Sequence, residues 1–269
     1  TGVVYMTNKV FTPAEFASVA YPALAHPTVM NIIYWAIDHL NFLPYLLSMD
    51  SKYSLILPTN DAMLWFIDPY TYGNEKDGLE NPDLLQFWYD PLRAEASRVR
   101  AYRYKCLVDE NGGITIDESV ARREESSRDI IDDCLRRMMD QLIIVGDIED
   151  GHEFYKSKGG TPIRVFKSAD GRLAFAGGWQ IDHNNKPLPV NSEDIYTKDN
   201  GKSYVLNGQM PLTTDKSVYL TLDGREEFSK FLELLDNDGA DLFATTVTKN
   251  NYAAGMQKKS SKNLKLLDN

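Results

Sequence analysis

The sequence predicts an α+β protein, and three observations lead there. Helix-period apolar patterns crowd into the first half of the chain, strand-like runs broken by Gly and Asp crowd into the second, and one stretch of self-similarity joins a strand pattern to a helix pattern. With 269 residues, 43% of them hydrophobic and 25% charged, the chain can bury one large core or two small ones.

The elements follow in order. Apolar residues spaced i, i+3, i+4, i+7 predict short helices over 27–39 and 43–49, and the run over 53–57 reads as a buried strand. A helix is expected to begin near Asp61. The polar segment 70–127 is too long for a connection and reads as an insertion with its own structure, holding the aromatic triplet Phe87-Trp88-Tyr89 and a turn at Asn111-Gly112-Gly113 between strand-like arms. Helix resumes over 127–141. Strands are expected at 141–145, 153–156, 162–167, 173–177, 203–210 and 217–221, separated by Gly and Asp turns.

Self-similarity sets the expected organisation. Gly2, Tyr5 and Asn8 fall on Gly201, Tyr204 and Asn207, an offset of 199 residues that continues without a gap, so that Val29, Ile32, Ile33 and Ala36 fall on Phe228, Phe231, Leu232 and Leu235. The chain therefore reads as the end of one unit (1–26), a complete unit (27–222, with the insertion at about 70–127) and the start of another (223–269). Thr1 stands where an initiator Met would, with no signal peptide after it, so the chain reads as a processed or excised piece of something longer.

The stretch "YSLILPTNDAM" over 53–63 puts an apolar run against a polar corner. Pro58 has no N–H and ends ladder pairing, Thr59 or Asn60 can accept from the bare donors of a first helical turn, and Asp61 sits at the positive end of the helix dipole. The corner is structural on this reading, because no base or nucleophile accompanies it.

Composition and spacing exclude several chemistries. Lys+Arg 29 against Asp+Glu 39 gives a net charge of −10, which leaves no basic face for a phosphate backbone. Aliphatic runs such as 142–145 are far short of the ~20 residues that span a bilayer. "DNGKSY" at 199–204 lacks the glycine a phosphate loop needs, with Tyr196 in its place, and "DNDGAD" at 236–241 has Gly239 two places early for a calcium loop. His26, His39, His152 and His183 show no metal-ligand spacing among themselves or with Cys106 and Cys134, and no cofactor is implied. The two cysteines allow one disulfide without demanding it, and a structural or free-thiol role is expected.

Four segments in order resemble the fasciclin (FAS1) domain family. "YSLILPTNDAM" is similar to its first signature, "GVVYMTNKVFTP" at 2–13 to its second, "GKSYVLNGQMPL" at 201–212 to a weaker second signature, and "KGGTPIRV" at 158–165 to its Asn-Gly-Thr-Pro strand segment. Family members usually carry a Tyr-His or His-Val-Val-Pro-Gly segment after the helix. This chain has Gln141-Leu-Ile-Ile-Val-Gly146, without histidine. The resemblance covers roughly 27–222 apart from the insertion. It implies helices packed against a twisted β-sheet or β-wedge, with Pro58, Thr59, Asn60 and Asp61 as the structural signature.

Two function classes follow. The first is a noncatalytic extracytoplasmic interaction module, used in adhesion, in glycan or protein contact, or as an accessory subunit of a cell-surface assembly such as an outer-membrane transporter or adhesion complex. The second is a carboxylate-dependent hydrolase acting on polysaccharide, which needs two facing acids in a cleft, one with a raised pKa. The family, the acidic composition and the absence of any Asn-X-Ser/Thr sequon point to a bacterial surface or periplasmic lipoprotein whose lipid anchor lies outside this fragment. Partner contact is expected from the insertion, through Tyr70, Tyr72, Phe87, Trp88, Tyr89, Tyr102 and Tyr104; the competing reading makes these rings a small satellite core.

Overall fold

Strand β1 (Tyr53–Pro58) runs through the centre of the molecule, and all six of its residues are buried. An apolar run covered on both faces needs partners on both edges. It pairs in parallel with β13 (Gly201–Leu206), from Tyr53 opposite Gly201 to Pro58 opposite Leu206, and antiparallel with β7 (Ile143–Val145). The strand β12 (Ile195–Lys198) closes the other side of β13. This computed structural model describes residues 2–4, 6, 8, 13–64, 66–68, 81, 83–109, 113–183, 187–208, 210–213 and 225–236.

Two further sheets complete a mixed α+β architecture. An antiparallel sheet takes the order β11-β10-β9-β8, with β8 at Phe154–Lys156, β9 at Pro162–Lys167, β10 at Leu173–Ala176 and β11 at Leu188–Pro189. The insertion forms the third, in the order β2-β3-β4-β5, built from β2 (Phe66–Asp68), β3 (Asp83–Tyr89), β4 (Val99–Val108) and β5 (Ile114–Ile116), with β6 (Arg123–Glu124) also on β4.

The helices are few and mostly short. Helix α5 (Arg128–Gln141) matches its expected span. The Ser127 side chain caps it by accepting from the Ile130 N–H, and Ile131, Cys134, Leu135 and Met138 form its buried stripe. Helix α3 (Asn31–His39) buries Ile32, Ile33 and Ala36 against the same core. Leu85 and Phe87 of β3 and Val99 and Ala101 of β4 join that cluster, so the inner face of the insertion shares the main core. The remaining helices are α1 (Ala14–Ala17), α2 (Tyr21–Ala25), α4 (Leu43–Leu46), α6 (Gly178–Asp182) and α7 (Ser229–Asp236).

The corner after β1 works differently from the expectation. Ala62–Leu64 make a single 3-10 turn, and Phe66–Asp68 then pair with β3, so no helix starts at Asp61. The apolar run over 63–67 suits either period, and the partner strand β3 decides it. Asn60 does bond backbone, but on another helix. Its Oδ1 accepts from Ile32 N–H at 3.4 Å, its Nδ2 donates to the Thr28 carbonyl at 3.3 Å, and its own N–H donates to the Val29 carbonyl at 2.8 Å. Met30, which precedes α3, makes no side-chain cap, so Asn60 supplies one from across the fold. The same clamp holds 28–30 outside the helix and moves the start of α3 from the expected residue 27 to Asn31. The strand expected at 217–221 lies outside the described residues.

A second asparagine closes the other end of β1. Asn200 is fully buried; its Oδ1 accepts from Val19 N–H at 2.8 Å, while its Nδ2 donates to the carbonyls of Leu46 at 2.7 Å and Ser48 at 3.0 Å. Its carbonyl accepts from Tyr53 N–H at 2.9 Å. Next to it Gly201 has φ +138°, and a Cβ there would lie 1.9 Å from the Tyr53 carbonyl oxygen, so only glycine allows β13 to approach β1.

Two stability predictions follow. Asn60→Ala removes a helix cap and should cost ~1 kcal/mol in chemical denaturation. Asn200→Ala strips partners from two buried backbone groups and one part-buried one, the buried ones each worth about 1–3 kcal/mol when orphaned, so it should cost ~3 kcal/mol or more in the same measurement.

Candidate partner-binding face

The insertion sheet is positioned by a buried ionic cluster on its inner face. Arg103 of β4, with only 2% of its side chain exposed, donates through Nη1 to Asp83 at 3.3 Å and through Nη2 to Glu125 at 3.1 Å. Lys105 reaches the other Asp83 oxygen at 2.6 Å, and the second Glu125 oxygen accepts from Ser127 N–H at 3.2 Å, beside the N-terminus of α5. Two carboxylates against two cations leave no net charge in the cluster, which is what makes its burial tolerable. The cluster ties β3, β4 and the start of α5 into one body.

Alternation along β3 and β4 then sorts the aromatic residues. Phe87 is 2% exposed and packs in the main core, and Tyr89 packs against the same core. These two correct the expectation that the whole triplet meets a partner, because they sit on the inner face. Trp88, Tyr102 and Tyr104 lie on the outer face, all half-buried. Tyr70 and Tyr72 lie outside the described residues.

The outer-face rings form an ordered stack. Trp88 and Tyr102 stack with centroids 5.7 Å apart and planes 10° from parallel, and the Arg122 guanidinium carbon lies 4.1 Å above the Tyr102 centroid. Arg122 also donates to the Tyr104 hydroxyl at 2.8 Å, which in turn donates to Gln86 Oε1 at 2.6 Å. Arg100, directly across from Trp88, pairs with Glu124. Gln86, Arg100 and Arg122 are residues the sequence reading missed. The alternation of 99–108, with Arg100, Tyr102 and Tyr104 on one side, held the signal.

The far end of this face is covered. Trp179 of α6 packs with Leu84 and Cys106 there, and Leu212 joins them. Leu212 accepts from Trp179 N–H at 2.9 Å and donates its own N–H to Gln180 Oε1 at 3.0 Å, which fixes α6 against 210–213. Cys106 and Cys134 are both buried and form no disulfide with each other, and burial pushes the Cys106 thiol up to about 11. The outer face is thus half a closed apolar contact and half an open aromatic and cationic stack.

Elsewhere, the signature corner contributes little chemistry. Thr59 is buried, Asp61 is exposed, and with Asn60 they edge a hollow of ≈ 280 Å³ shared with Thr28, Val29 and Asn207. A larger cleft of ≈ 600 Å³ opens between the first two sheets, where Glu149, Asp150 and Glu153 stand exposed at the rim. Among the described residues no group of three or more His, Cys, Asp or Glu is placed to hold a metal ion, and no helix is long and apolar enough to cross a membrane.

Comparison of the chain with protein-family models returned no match, and comparison with curated proteins returned none either.

Arg103→Ala should lower stability by ~3–5 kcal/mol, the usual cost of breaking a buried ion pair. Arg103→Lys should recover only part of that loss, because an ammonium lacks the guanidinium fork that serves both carboxylates. Urea denaturation of the two variants measures the difference.

Proposed function

We propose that the chain is a noncatalytic, extracytoplasmic interaction module of the fasciclin type, and that the open half of the insertion face carries its partner contact. The Trp88–Tyr102–Arg122 stack is the observation that carries this reading. Flat aromatic rings beside a guanidinium are groups that anchor protein and glycan partners, and a sheet tied to the core presents them with little ordering cost on binding. The four signature segments support the family assignment, with 27–222 as the complete unit. Phe231 of the 225–236 segment is 50% exposed where its repeat counterpart Ile32 in α3 is buried, which is in keeping with 223–269 opening a further unit. The extracytoplasmic setting follows from the same family reading.

The hydrolase reading has less support. A general acid needs desolvation to stay protonated at neutral pH, whereas the carboxylates of the inter-sheet cleft stand at its exposed rim.

A glycan array and a pull-down from native cell surface test the proposal. Trp88→Ala and Tyr102→Ala should each weaken capture by ~2 kcal/mol or more, as for an interface anchor, and Arg122→Ala should weaken it while leaving the melting temperature unchanged. Melting lost with capture retained would remove this face from the function. Hydrolysis of a captured glycan that vanishes with one Asp or Glu would replace the module with an enzyme.

A further inference from the structure

We propose that the cleft between the first two sheets is a binding site for a short apolar peptide or amino acid in zwitterionic form. The site is separate from the insertion face and does not depend on that reading. The cleft is a wedge. Its apex is closed by Phe175 of β10 against Tyr204 of β13, with ring centroids 5.1 Å apart, and Val165 lies beside them, 2% exposed. Moving outward, Leu173 stands on one sheet and Ile195 on the other, with Ile148 on the loop between β7 and β8, and all three are only half-buried. Sheets that share a core usually interdigitate their side chains, about 10 Å apart. Here the apolar walls stay partly uncovered around ≈ 600 Å³, a volume in the ordinary range of ligand sites.

The charges at the mouth select the ligand. Lys167 pairs with Asp150 at 3.5 Å, and Glu153 pairs with Arg164 at 3.0 Å. That leaves the Lys202 ammonium on β13 and the Glu149 carboxylate on the loop, neither with a side-chain partner among the described residues. The Lys202 cation and the Glu149 anion at the rim of an apolar wedge, with the Asp147 carboxylate also acting on Tyr204, complement a molecule with an apolar body, a carboxylate and an ammonium. A simple anion or cation would satisfy one and face repulsion from the other. Tyr204 also lines the cleft, with its hydroxyl already engaged by the Ser54 side chain, and burial pushes its pKa up to about 12.

The test is an NMR titration of the intact chain with the dipeptide Leu-Phe. Saturating shift changes are expected at Val165, Leu173, Ile195 and Tyr204. N-acetylation, C-amidation, Glu149→Gln or Lys202→Met should each weaken binding by about tenfold, the loss of one charged contact. Leu173→Trp, which fills the wedge, should abolish binding while leaving the circular dichroism spectrum of the fold intact. Free Leu or Phe binding as tightly as the dipeptide would identify the source as amino acids within the same class. Shift changes absent at millimolar dipeptide, mapped away from the cleft, or indifferent to both charge variants would overturn the proposal.

Discussion

The structure depends on the pairing of β1 with β13, and that pairing depends on Asn200 and Gly201. A parallel pair cannot be joined by a tight turn, so the two strands must find each other across nearly the whole folded unit. Asn200 makes the meeting specific. One buried amide side chain serves Val19 after α1, Leu46 at the end of α4 and Ser48 two residues beyond it, while its carbonyl takes the first N–H of β1. Gly201 then removes the Cβ that would strike Tyr53. A buried amide with its groups satisfied rigidifies and specifies a core, whereas one left half-satisfied would be worse than an apolar residue. Ser203 extends the same seam by donating to the Val19 carbonyl at 2.5 Å.

The insertion is held by a different kind of contact. Its inner face carries Leu85, Phe87, Val99 and Ala101 into the main core, and where the apolar residues stop, Arg103 with Asp83 and Glu125 takes over. Such a cluster adds little net stability over an apolar replacement, but it tolerates only one arrangement, because any shift leaves a charge buried without its partner. The sheet is therefore fixed in register, and the Trp88–Tyr102–Arg122 stack on its other face inherits that order. An aromatic stack on a loose loop would lose affinity to the entropy of ordering it.

How much of this was legible in the sequence varies with how local the cause is. Helix α5 announced itself, because its Ser127 cap and its Ile131–Cys134–Leu135–Met138 stripe lie within one segment. Strand β1 was legible from its unbroken apolar run. The corner at Pro58 was legible as a corner, but the partner of Asn60 was not, since the helix it caps precedes it by a whole helix and strand, α4 and β1. The helix expected at Asp61 failed because an apolar run of ambiguous period takes its form from a partner strand that no local pattern announces. Among the aromatic residues the triplet Phe87-Trp88-Tyr89 looked like one cluster, yet strand alternation divides it between two faces. In β4 the buried side carries Val99, Ala101 and Arg103 while the rings face outward, the reverse of what hydrophobicity alone assigns.

The wedge between the first two sheets carries one lysine on each wall, Lys167 on β9 and Lys202 on β13. The acidic loop over 147–153 compensates unevenly. Asp150 pairs with Lys167, whereas Lys202 has no side-chain partner among the described residues, and the loop is turned into place by Gly146 at φ 114° and Gly151 at φ 85°, conformations that favour glycine. Further in, Phe175 and Tyr204 meet directly and the wedge closes. The same two sheets are thus joined where Phe175 meets Tyr204, and they stand apart where the half-covered Leu173 and Ile195 line the cleft below a charged rim.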